Sequence, residues 1–539
     1  MTQTRQTVFD IRIISGVILS TIVICLCSFM LFANNSNLGI VTAQFIDSGS
    51  MLSNYVDMVR TGDFNQSKQY HTSIYGWPGN NIIIWSMWAV GAHTIETQAL
   101  IARSASFIFS ILTILALSCL FYFNRASKVL SVVGLLLLVA WPPFVTFAYQ
   151  IHPEAFGLFF GTTSLIAATY FVRHDQRSFW LYSSWGLAVL AFLSKQPFLI
   201  YLIPPVIIGF NSLLKSQRKL FFFIKTSIAF ITIGALMVFI SDPYIFLEFP
   251  IFWEKQVAIH THHLSISNSL TTSLSSWANI IVFDDPWFLV GLIFSVVAIY
   301  RSKNLVVVSA AWANLAFLAV LIVALKFFFL RSYLYPALPT VLLVVATSQS
   351  YILPAISRAL TTVLVGLALV FITQSAVRSA GILMTDSQFS QTANVQAVKR
   401  LQEIQGHNLT LVYSNSLPID ATLYKKAYGN FTFSPQPALN EQLKTVQPDI
   451  IITDNAWPFS DVHGYEQAAQ ALKMEKFELK IAGANPNACE YQDTTLLKAC
   501  IAVLSGESNK SENHTYYIFV TADYMEQVRK IVSLPINTN

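Results

Sequence analysis

Apolar runs long enough, or nearly long enough, to cross a lipid bilayer dominate this sequence. A helix needs roughly 20 apolar residues to span the hydrocarbon core. Eleven runs approach this length, at residues 11–33, 100–123, 129–149, 155–172, 179–194, 197–213, 220–240, 286–300, 304–325, 332–349 and 359–377. With 54% hydrophobic and 11% charged residues, the composition excludes a soluble globular protein. We predict a polytopic α-helical membrane protein with about eleven transmembrane helices.

The basic residues of the chain are grouped in short clusters between the apolar runs. The formal net charge of +5 could suggest nucleic-acid binding, but cytoplasmic loops of membrane proteins carry the same excess of Lys and Arg. The clusters lie at Arg125/Lys128, Arg173/Arg177, Lys215/Arg218/Lys219, Arg301/Lys303 and Arg358. Placing them inside puts the N-terminus in the cytoplasm, before a retained first helix, and the C-terminus outside. We expect no nucleic-acid partner.

A further apolar run at 81–96 is short and contains Trp85 and Trp88. Counting it as a span would move every later basic cluster outside. We therefore predict an interfacial or half-inserted helix pair in this run. The exoplasmic face then carries two long loops, 34–99 and 241–285.

The polar region after residue 380 has a different pattern. The segments TLVYSN, PDIIITD and TYYIFVTAD predict strands, and NVQAVKRLQEI and ALNEQLKTV predict amphipathic helices between them. We expect two domains, a transmembrane module over 1–380 and a soluble exoplasmic α/β domain over 381–539. Cys489 and Cys500 fall in the second domain, where an oxidising compartment would let them pair.

The first predicted loop contains an acidic residue, Asp47, in the segment DSGSMLSNYVDMVRTGDF. His71 and Tyr75 follow in the same loop. A carboxylate at the mouth of a membrane domain suits chemistry on a substrate that lies in the bilayer. The alternative is a helix cap, because Asp is favoured before a helix and Gly62 is placed to end one.

A very short loop between two apolar runs contains His152, Pro153 and Glu154. Ionisable side chains at the edge of the hydrocarbon are costly without partners or water, so they usually face a cavity. A structural cap, with Glu154 at a helix N-terminus, is the alternative.

Three cations have apolar sequence on both sides: Lys195, Lys326 and Arg331. Each could simply extend its side chain to the lipid headgroups. All three, however, fall on the same predicted side as Asp47 and Glu154. Such a set suits a lipid-linked anionic substrate, because cations bind phosphate and a carboxylate accepts a proton from an incoming hydroxyl.

Three histidines, His260, His262 and His263, lie close together in the second long loop. They are weak candidates for a metal site, since no Asp, Glu or Cys stands at a settled spacing from them. We expect instead a polar interfacial helix lining the site and no cofactor, with a divalent metal as the alternative.

Together these segments resemble the GT-C superfamily of polyprenyl-phosphate-sugar-dependent glycosyltransferases, in its protein O-mannosyltransferase and lipid A aminoarabinose transferase branch. Asp47 resembles the acidic residue of that family's first exoplasmic loop, and His152-Pro153-Glu154 its second acidic-Pro motif. LAFLSKQP, SDPYIFLEFPIFW and LRSYLYPALP resemble three later segments of the family. The resemblance covers roughly residues 11–375.

The resemblance implies a GT-C fold and an inverting transfer of a sugar. The donor is a polyprenyl-phosphate-linked sugar, and the acceptor is a hydroxyl-bearing protein, lipid or glycan at the exoplasmic face of a bacterial inner or plasma membrane. Asp47 is then the preferred general base, and Glu154 and His152 assist it or position the acceptor. The expected substrate-binding residues are His71, Tyr75, Lys195, Lys326, Arg331 and Tyr333, whose cations neutralise the departing phosphate.

Other classes of function stay open at this point. A transporter or flippase for lipid-linked sugars predicts repeated halves and discontinuous helices, whereas the chain shows no repeat. A membrane-anchored sensor leaves Asp47 and Glu154 unexplained. Within the GT-C group, a ligase or polymerase that uses a diphosphate-linked oligosaccharide is the nearest enzymatic alternative.

Cysteine-accessibility labelling tests the predicted topology. We expect single cysteines introduced beside Lys219 and Lys303 to react only from the cytoplasm, because the basic clusters segregate to that side. A Gly406→Cys variant should react only from outside. Cytoplasmic labelling at Gly406 would contradict the eleven-span topology.

Overall fold

The computed structural model describes two compact units of the chain. One comprises residues 1–29, 54–93 and 101–379, and the other 30–53, 94–100 and 380–539. The described residues are 10–33, 46–66, 76–173, 177–265, 268–325, 331–352, 354–387, 397, 400–401, 403–404, 409–413, 426–428, 443–454, 462–483 and 512–533. The division between 1–380 and 381–539 stays a prediction.

Helices account for most of the described chain up to residue 387, as expected where the backbone must satisfy its own hydrogen bonds in lipid. They are α1 (Ile11–Ala33), α2 (Ile46–Thr61), α3 (Trp77–Val90), α4 (Ile95–Phe123), α5 (Lys128–Ala140), α6 (Pro142–Tyr149), α7 (Glu154–Arg173), α8 (Ser178–Ser194), α9 (Ile203–Lys215), α10 (Lys219–Ser241), α11 (Tyr244–Leu247), α12 (Phe249–Ser265), α13 (Leu270–Asn279), α14 (Pro286–Arg301), α15 (Leu305–Val323), α16 (Leu338–Ala346) and α17 (Pro354–Ser387). Short 3₁₀ helices lie at Gln196–Leu202, Arg331–Ala337 and Ser348–Ser350, and a π turn at Ile280–Asp284.

Within the described ranges, six helices are long and apolar enough to cross a membrane, or eight spans result if each bent helix pair counts as one. The bent pairs are Lys128–Ala140 with Pro142–Tyr149, at 59°, and Leu270–Asp284 with Pro286–Arg301, at 101°. A proline begins the second member of each pair, and proline both lacks an N–H and restricts the residue before it. In the run 129–149, uninterrupted apolar sequence therefore does not give an uninterrupted helix, and the count of eleven stays a prediction.

Two glycines of α7 allow the 3₁₀ helix Gln196–Leu202 to pack closely against it. A Cβ atom at Gly157 would lie 2.8 Å from the Phe198 ring, and one at Gly161 would overlap the Tyr201 ring. The Tyr201 hydroxyl in turn donates to the carbonyl oxygen of Pro336 at 2.8 Å. This bond joins the 3₁₀ helix that follows α8 to the one at Arg331–Ala337.

Helix α3 is buried on one side only. Ile83, Ile84 and Met87 are buried, whereas Trp85 and Trp88 are 57% and 60% exposed. One-sided burial is typical of an interfacial helix, and the interfacial placement of α3 stays a prediction.

The two segments predicted as long loops contact each other. The side chain of Asn81 donates to the carbonyl oxygen of Ser241 at 2.6 Å, and that of Asn65 donates to the Glu248 carboxylate at 2.8 Å. The 241–285 segment is largely helical, since it contains α11, α12 and α13. The described parts of the two segments are therefore neighbours, and their placement at the exoplasmic face stays a prediction.

A five-stranded mixed sheet lies in the second unit. Its strands are β1 (Thr410–Tyr413), β2 (Lys426–Tyr428), β3 (Ile450–Asp454), β4 (Glu475–Gly483) and β5 (Glu512–Val520), in the order β2-β1-β3-β5-β4. β2, β1 and β3 are parallel, and β5 is antiparallel to β3 and β4. The strands expected from TLVYSN, PDIIITD and TYYIFVTAD correspond to β1, β3 and β5.

Alternating residues of these strands form two apolar faces. Leu411 and Ile450 pack with Val528 of helix α19 (Met525–Ser533), and Ile451 packs with Tyr465 of helix α18 (Val462–Ala471). Helices thus cover both faces of the sheet. Cys489 and Cys500 lie outside the described residues.

The close approach at Gly161 generates a stability prediction. Gly161→Ala should lower the free energy of unfolding by about 1–3 kcal/mol, because the added methyl group displaces the Tyr201 ring in a packed interior. Thermal unfolding of the purified protein in detergent measures the effect.

Gly366→Ala in α17 is the matched control, since no atom lies within 4 Å of an added Cβ there. It should leave stability unchanged or raise it slightly, because Ala favours a helix over Gly. Equal stability of the two variants would contradict the packing argument.

Candidate active site

The backbone breaks between α6 and α7 to form a short turn that exposes no charge to solvent. Pro153 directly precedes α7, and the residue before a proline is disfavoured in helical conformation. The helix therefore starts at Glu154, whose carboxylate lies in its first turn and is favoured there by the helix dipole. Glu154 and His152 are 3% and 2% exposed.

Glu154 is held between two basic side chains. One carboxylate oxygen contacts Nδ1 of His152, and the other contacts Nζ of Lys195. Lys195 reaches Glu154 because α7 and α8 run antiparallel, as the hydrogen bond from Ser164 to the Ser184 carbonyl at 2.7 Å also shows. The structure thus brings together three residues that the sequence analysis placed at one end of the membrane domain.

Lys195 ends α8 in an extended conformation, with φ of −163° and ψ of 139°. Its side chain is 15% exposed, and its ammonium lies 5.6 Å from the centroid of the Tyr333 ring. The ammonium is therefore at the edge of the buried cluster, between the Glu154 carboxylate and an aromatic face that attracts cations.

Helix α4 contributes two polar residues that sequence reasoning missed. Arg103 is 1% exposed and donates through Nε to the Tyr149 carbonyl oxygen at 2.9 Å. One turn later, Ser106 accepts a hydrogen bond from the backbone N–H of His152 at 3.4 Å. The available signal was an arginine inside a predicted span, which is costly without a buried partner or cavity.

Aromatic rings pack against the other side of the turn. The Phe147 ring stacks on His152 with a centroid distance of 4.3 Å, and Tyr335 meets Phe147 edge-on at 5.2 Å. Tyr335 is fully buried, and within the described ranges its hydroxyl has no hydrogen-bond partner. Tyr335 was not predicted, although it lies two residues after Tyr333 in the same 3₁₀ helix.

Arg331 forms an ion pair with Asp285, whereas Lys195 pairs with Glu154. The Nε atom of Arg331 lies 2.7 Å from Oδ2 of Asp285, and the Asp285 side chain is 1% exposed. Sequence reasoning did not single out Asp285. Lys195 and Arg331, both predicted to bind phosphate, each hold a buried carboxylate in this structure.

The start of α3 lies against the Glu154 turn. Gly76 adopts φ of +86°, a left-handed conformation that favours glycine. An added Cβ at Gly76 would lie 3.3 Å from Cβ of Pro153. The Asn80 side chain, one turn into α3, accepts a hydrogen bond from Tyr55 at 2.6 Å and donates to Gln66 at 2.9 Å. Part of the first predicted loop thus packs beside the short loop that contains Glu154.

Several predicted site residues fall where the structure describes no side chain. Helix α2 begins at Ile46, so Asp47 lies in its first turn, and its side chain is outside the described residues. The side chains of six further predicted residues are also outside the described part of the chain: His71, Tyr75, Lys326, His260, His262 and His263. Among the residues that are described, no group of three or more His, Cys, Asp or Glu side chains could hold a metal ion.

No family model and no curated protein sequence matches the chain. Among solved structures, the chain is similar to ArnT from Cupriavidus metallidurans bound to undecaprenyl phosphate, at 12% identity over 93% of this chain and 99% of that one, with a TM-score of 0.47. The apo state of the same protein gives 11% identity over 93% and 97%, with a TM-score of 0.47. The Archaeoglobus fulgidus oligosaccharyltransferase in complex with Zn and sulfate gives 11% over 84% and 69%, with a TM-score of 0.44.

Removing Lys195 should destabilise the protein. Lys195→Met leaves the buried Glu154 carboxylate without its ammonium partner, and breaking a buried pair in this way costs about 3–5 kcal/mol. The double variant Glu154→Gln/Lys195→Met should recover most of that loss, because no unpaired charge remains. Chemical unfolding in detergent micelles measures both.

Lys215→Met, at an exposed position at the end of α9, serves as the control and should be close to neutral. If Lys195→Met were as stable as Lys215→Met, the Glu154–Lys195 pair would not be a structural element of the site.

Proposed function

We propose that this protein is an inverting glycosyltransferase that moves a sugar from a polyprenyl-phosphate carrier to a hydroxyl-bearing acceptor at the exoplasmic face of the membrane. The observation that carries the proposal is the buried Glu154 carboxylate, held by His152 and Lys195 where an apolar helix begins. Buried ionisable groups at the end of a membrane domain are functional more often than structural. The sequence resemblance of the surrounding segments specifies which function.

The proposed reaction is a single displacement. The acceptor oxygen attacks the anomeric carbon on the face opposite the phosphate, and a new C–O bond forms as the bond from carbon to the phosphate oxygen breaks. The electron pair leaves with the phosphate, and the acceptor proton passes to a carboxylate. The donor already carries its leaving group, so the proposed reaction needs no nucleotide.

Asp47 is the proposed general base, on the strength of the resemblance of its segment. Glu154 has a different proposed role, because its two oxygens already contact His152 and Lys195. It orients the imidazole through Nδ1 and fixes the ammonium at the edge of the site. His152 then positions the acceptor.

Lys195 and Arg331 are the proposed partners of the carrier phosphate. An ammonium has three N–H donors, and in the proposed complex Lys195 binds a phosphate oxygen while it keeps its contact with Glu154. Cations fixed in advance where negative charge accumulates stabilise the transition state without reorganising. The lipid tail of the carrier would lie among the apolar helices, and the polar chain after residue 380 would lie outside the cytoplasm.

Two conservative substitutions test the carboxylate roles. Asp47→Asn should lower turnover about 100-fold or more, because an amide of the same shape accepts no proton. Glu154→Gln should lower turnover and also weaken donor binding, since it releases Lys195. Mass spectrometry of surface glycans and lipids from cells with and without the intact gene first identifies the sugar and the acceptor. The turnover of each purified variant is then measured as the rate at which it releases polyprenyl phosphate.

The matched control is Asp57→Asn on the same helix as Asp47. Asp57 is 42% exposed and pairs with Arg60 on the surface, so its loss should leave turnover unchanged. Near-normal turnover in Asp47→Asn would transfer the base role to Glu154. Near-normal turnover in both Asp47→Asn and Glu154→Gln would refute the proposed mechanism.

A further inference from the structure

A second buried carboxylate, Asp285, lies at the bend between the π turn and α14. Its Oδ1 atom accepts hydrogen bonds from the indole N–H groups of Trp141 at 2.8 Å and Trp287 at 2.9 Å. Arg331 donates to both oxygens, through Nη2 to Oδ1 at 2.7 Å and through Nε to Oδ2 at 2.7 Å. The carboxylate therefore has four donors from three different parts of the chain.

The pairing uses one edge of the guanidinium. Nε and Nη2 of Arg331 point at Asp285, and Nη2 also donates to the Asp284 carbonyl oxygen at 3.3 Å. The Nη1 group makes no hydrogen bond to any part of the chain that the structure describes. Because the guanidinium is planar and rigid, a bidentate bond to one edge fixes the direction of the N–H groups on the other.

The Arg331 side chain is 20% exposed, whereas Asp285 is 1% exposed. Part of the Arg331 side chain is therefore open to solvent, whereas the Asp285 carboxylate is not. Indole N–H groups carry no net charge, so Trp141 and Trp287 help to satisfy Asp285 without competing with Arg331 for an anion. This arrangement differs from a surface ion pair, in which both partners are equally open to solvent.

Arg378 adds a second cation beside this pair, with Nη1 at 3.9 Å from the Asp284 carboxylate. Two guanidinium groups and two carboxylates, those of Arg331, Arg378, Asp284 and Asp285, give this cluster no net charge. An anion bound there is recognised by directed N–H groups rather than by an excess of positive charge.

We propose that Asp285 is a positioning residue, which holds Arg331 by its Nε–Nη2 edge and so directs Nη1 toward the phosphate of the lipid carrier. The inference rests on the proposed function, in which Arg331 binds that phosphate. It adds that orientation of the guanidinium, and not only its charge, sets the affinity for the carrier.

The test is a double-mutant cycle on carrier binding with the full-length purified protein. The probe is a polyprenyl monophosphate without sugar, titrated against wild type, Asp285→Asn, Arg331→Met and the double variant. Asp285→Asn should weaken binding about tenfold, because the amide N–H₂ faces the guanidinium donors and displaces them. In the Arg331→Met background, Asp285→Asn should change the affinity by less than about twofold.

Arg331→Lys keeps the charge but replaces the planar fork by a point charge, so it should also weaken binding about tenfold. This variant tests orientation even if Asp285→Asn fails to fold. The matched control is Asp10→Asn, because Asp10 holds Nε and Nη2 of Arg12 at 2.7 and 2.6 Å in the same bidentate manner at the start of α1. It should leave binding within about twofold of wild type.

Two further ligands identify the group that is recognised. The corresponding polyprenol, which lacks phosphate, should bind wild type and Asp285→Asn equally. Inorganic phosphate should not displace the lipid at millimolar concentration, which assigns the site to the carrier headgroup rather than to free phosphate.

The possible results distinguish a failure of the Asp285 positioning role from a failure of the proposed function. Three results would overturn the positioning role and leave the proposed function intact. The first is wild-type affinity in Arg331→Lys, and the second is tighter carrier binding in Asp285→Asn. The third is that Asp285→Asn lowers the carrier affinity equally in the presence and absence of Arg331. A wild-type protein that binds polyprenyl phosphate no better than polyprenol would overturn the proposed function and this inference with it.

Discussion

The site is organised by the need to pair a carboxylate that has been removed from water. An unpaired ionised carboxylate inside a membrane protein costs several kcal/mol, and partners must therefore come from elsewhere in the fold. For Glu154 they come from the turn just before it and from the end of the next helix. The pairing requires the first residue of α7 to lie beside the last turn of α8. The 3₁₀ helix that follows α8 then packs against Gly157 and Gly161 of α7.

The apolar runs predicted much of the helical part of the fold, because lipid requires long apolar helices wherever the chain crosses it. The run 155–172 became α7, Glu154–Arg173, and the run 220–240 became α10, Lys219–Ser241. Hydrophobicity could not predict the bend at Pro142, since the run 129–149 stays apolar around it, whereas Pro286 directly follows Asp284 and Asp285 at the start of a predicted run. Hydrophobicity predicted the end of α8 at Ser194, but not that the next run would begin as the 3₁₀ helix Gln196–Leu202.

For the site, sequence reasoning placed Glu154, His152 and Lys195 at one end, and the structure brings them into contact. The ion pair of Arg331 could not be foreseen, because Asp285 lies 46 residues away in the chain and belongs to no local motif. Arg103 carried a signal that went unused, namely a positive charge within an apolar helix. Asp47 could be proposed only from the resemblance of its segment, and its role depends on experiment.

Both proposed phosphate-binding cations lie at the start of 3₁₀ helices, which continue directly into α9 and α16. Lys195 directly precedes one 3₁₀ helix, Arg331 begins another, and the hydrogen bond from Tyr201 to Pro336 ties the two together. The long helices of a membrane domain tilt as bilayer thickness changes, and side chains mounted on them would separate or converge. Because the hydrogen bond from Tyr201 to Pro336 ties these two 3₁₀ helices together, we expect the distance between the two cations, and the carrier binding proposed for them, to depend little on the lipid composition of the membrane.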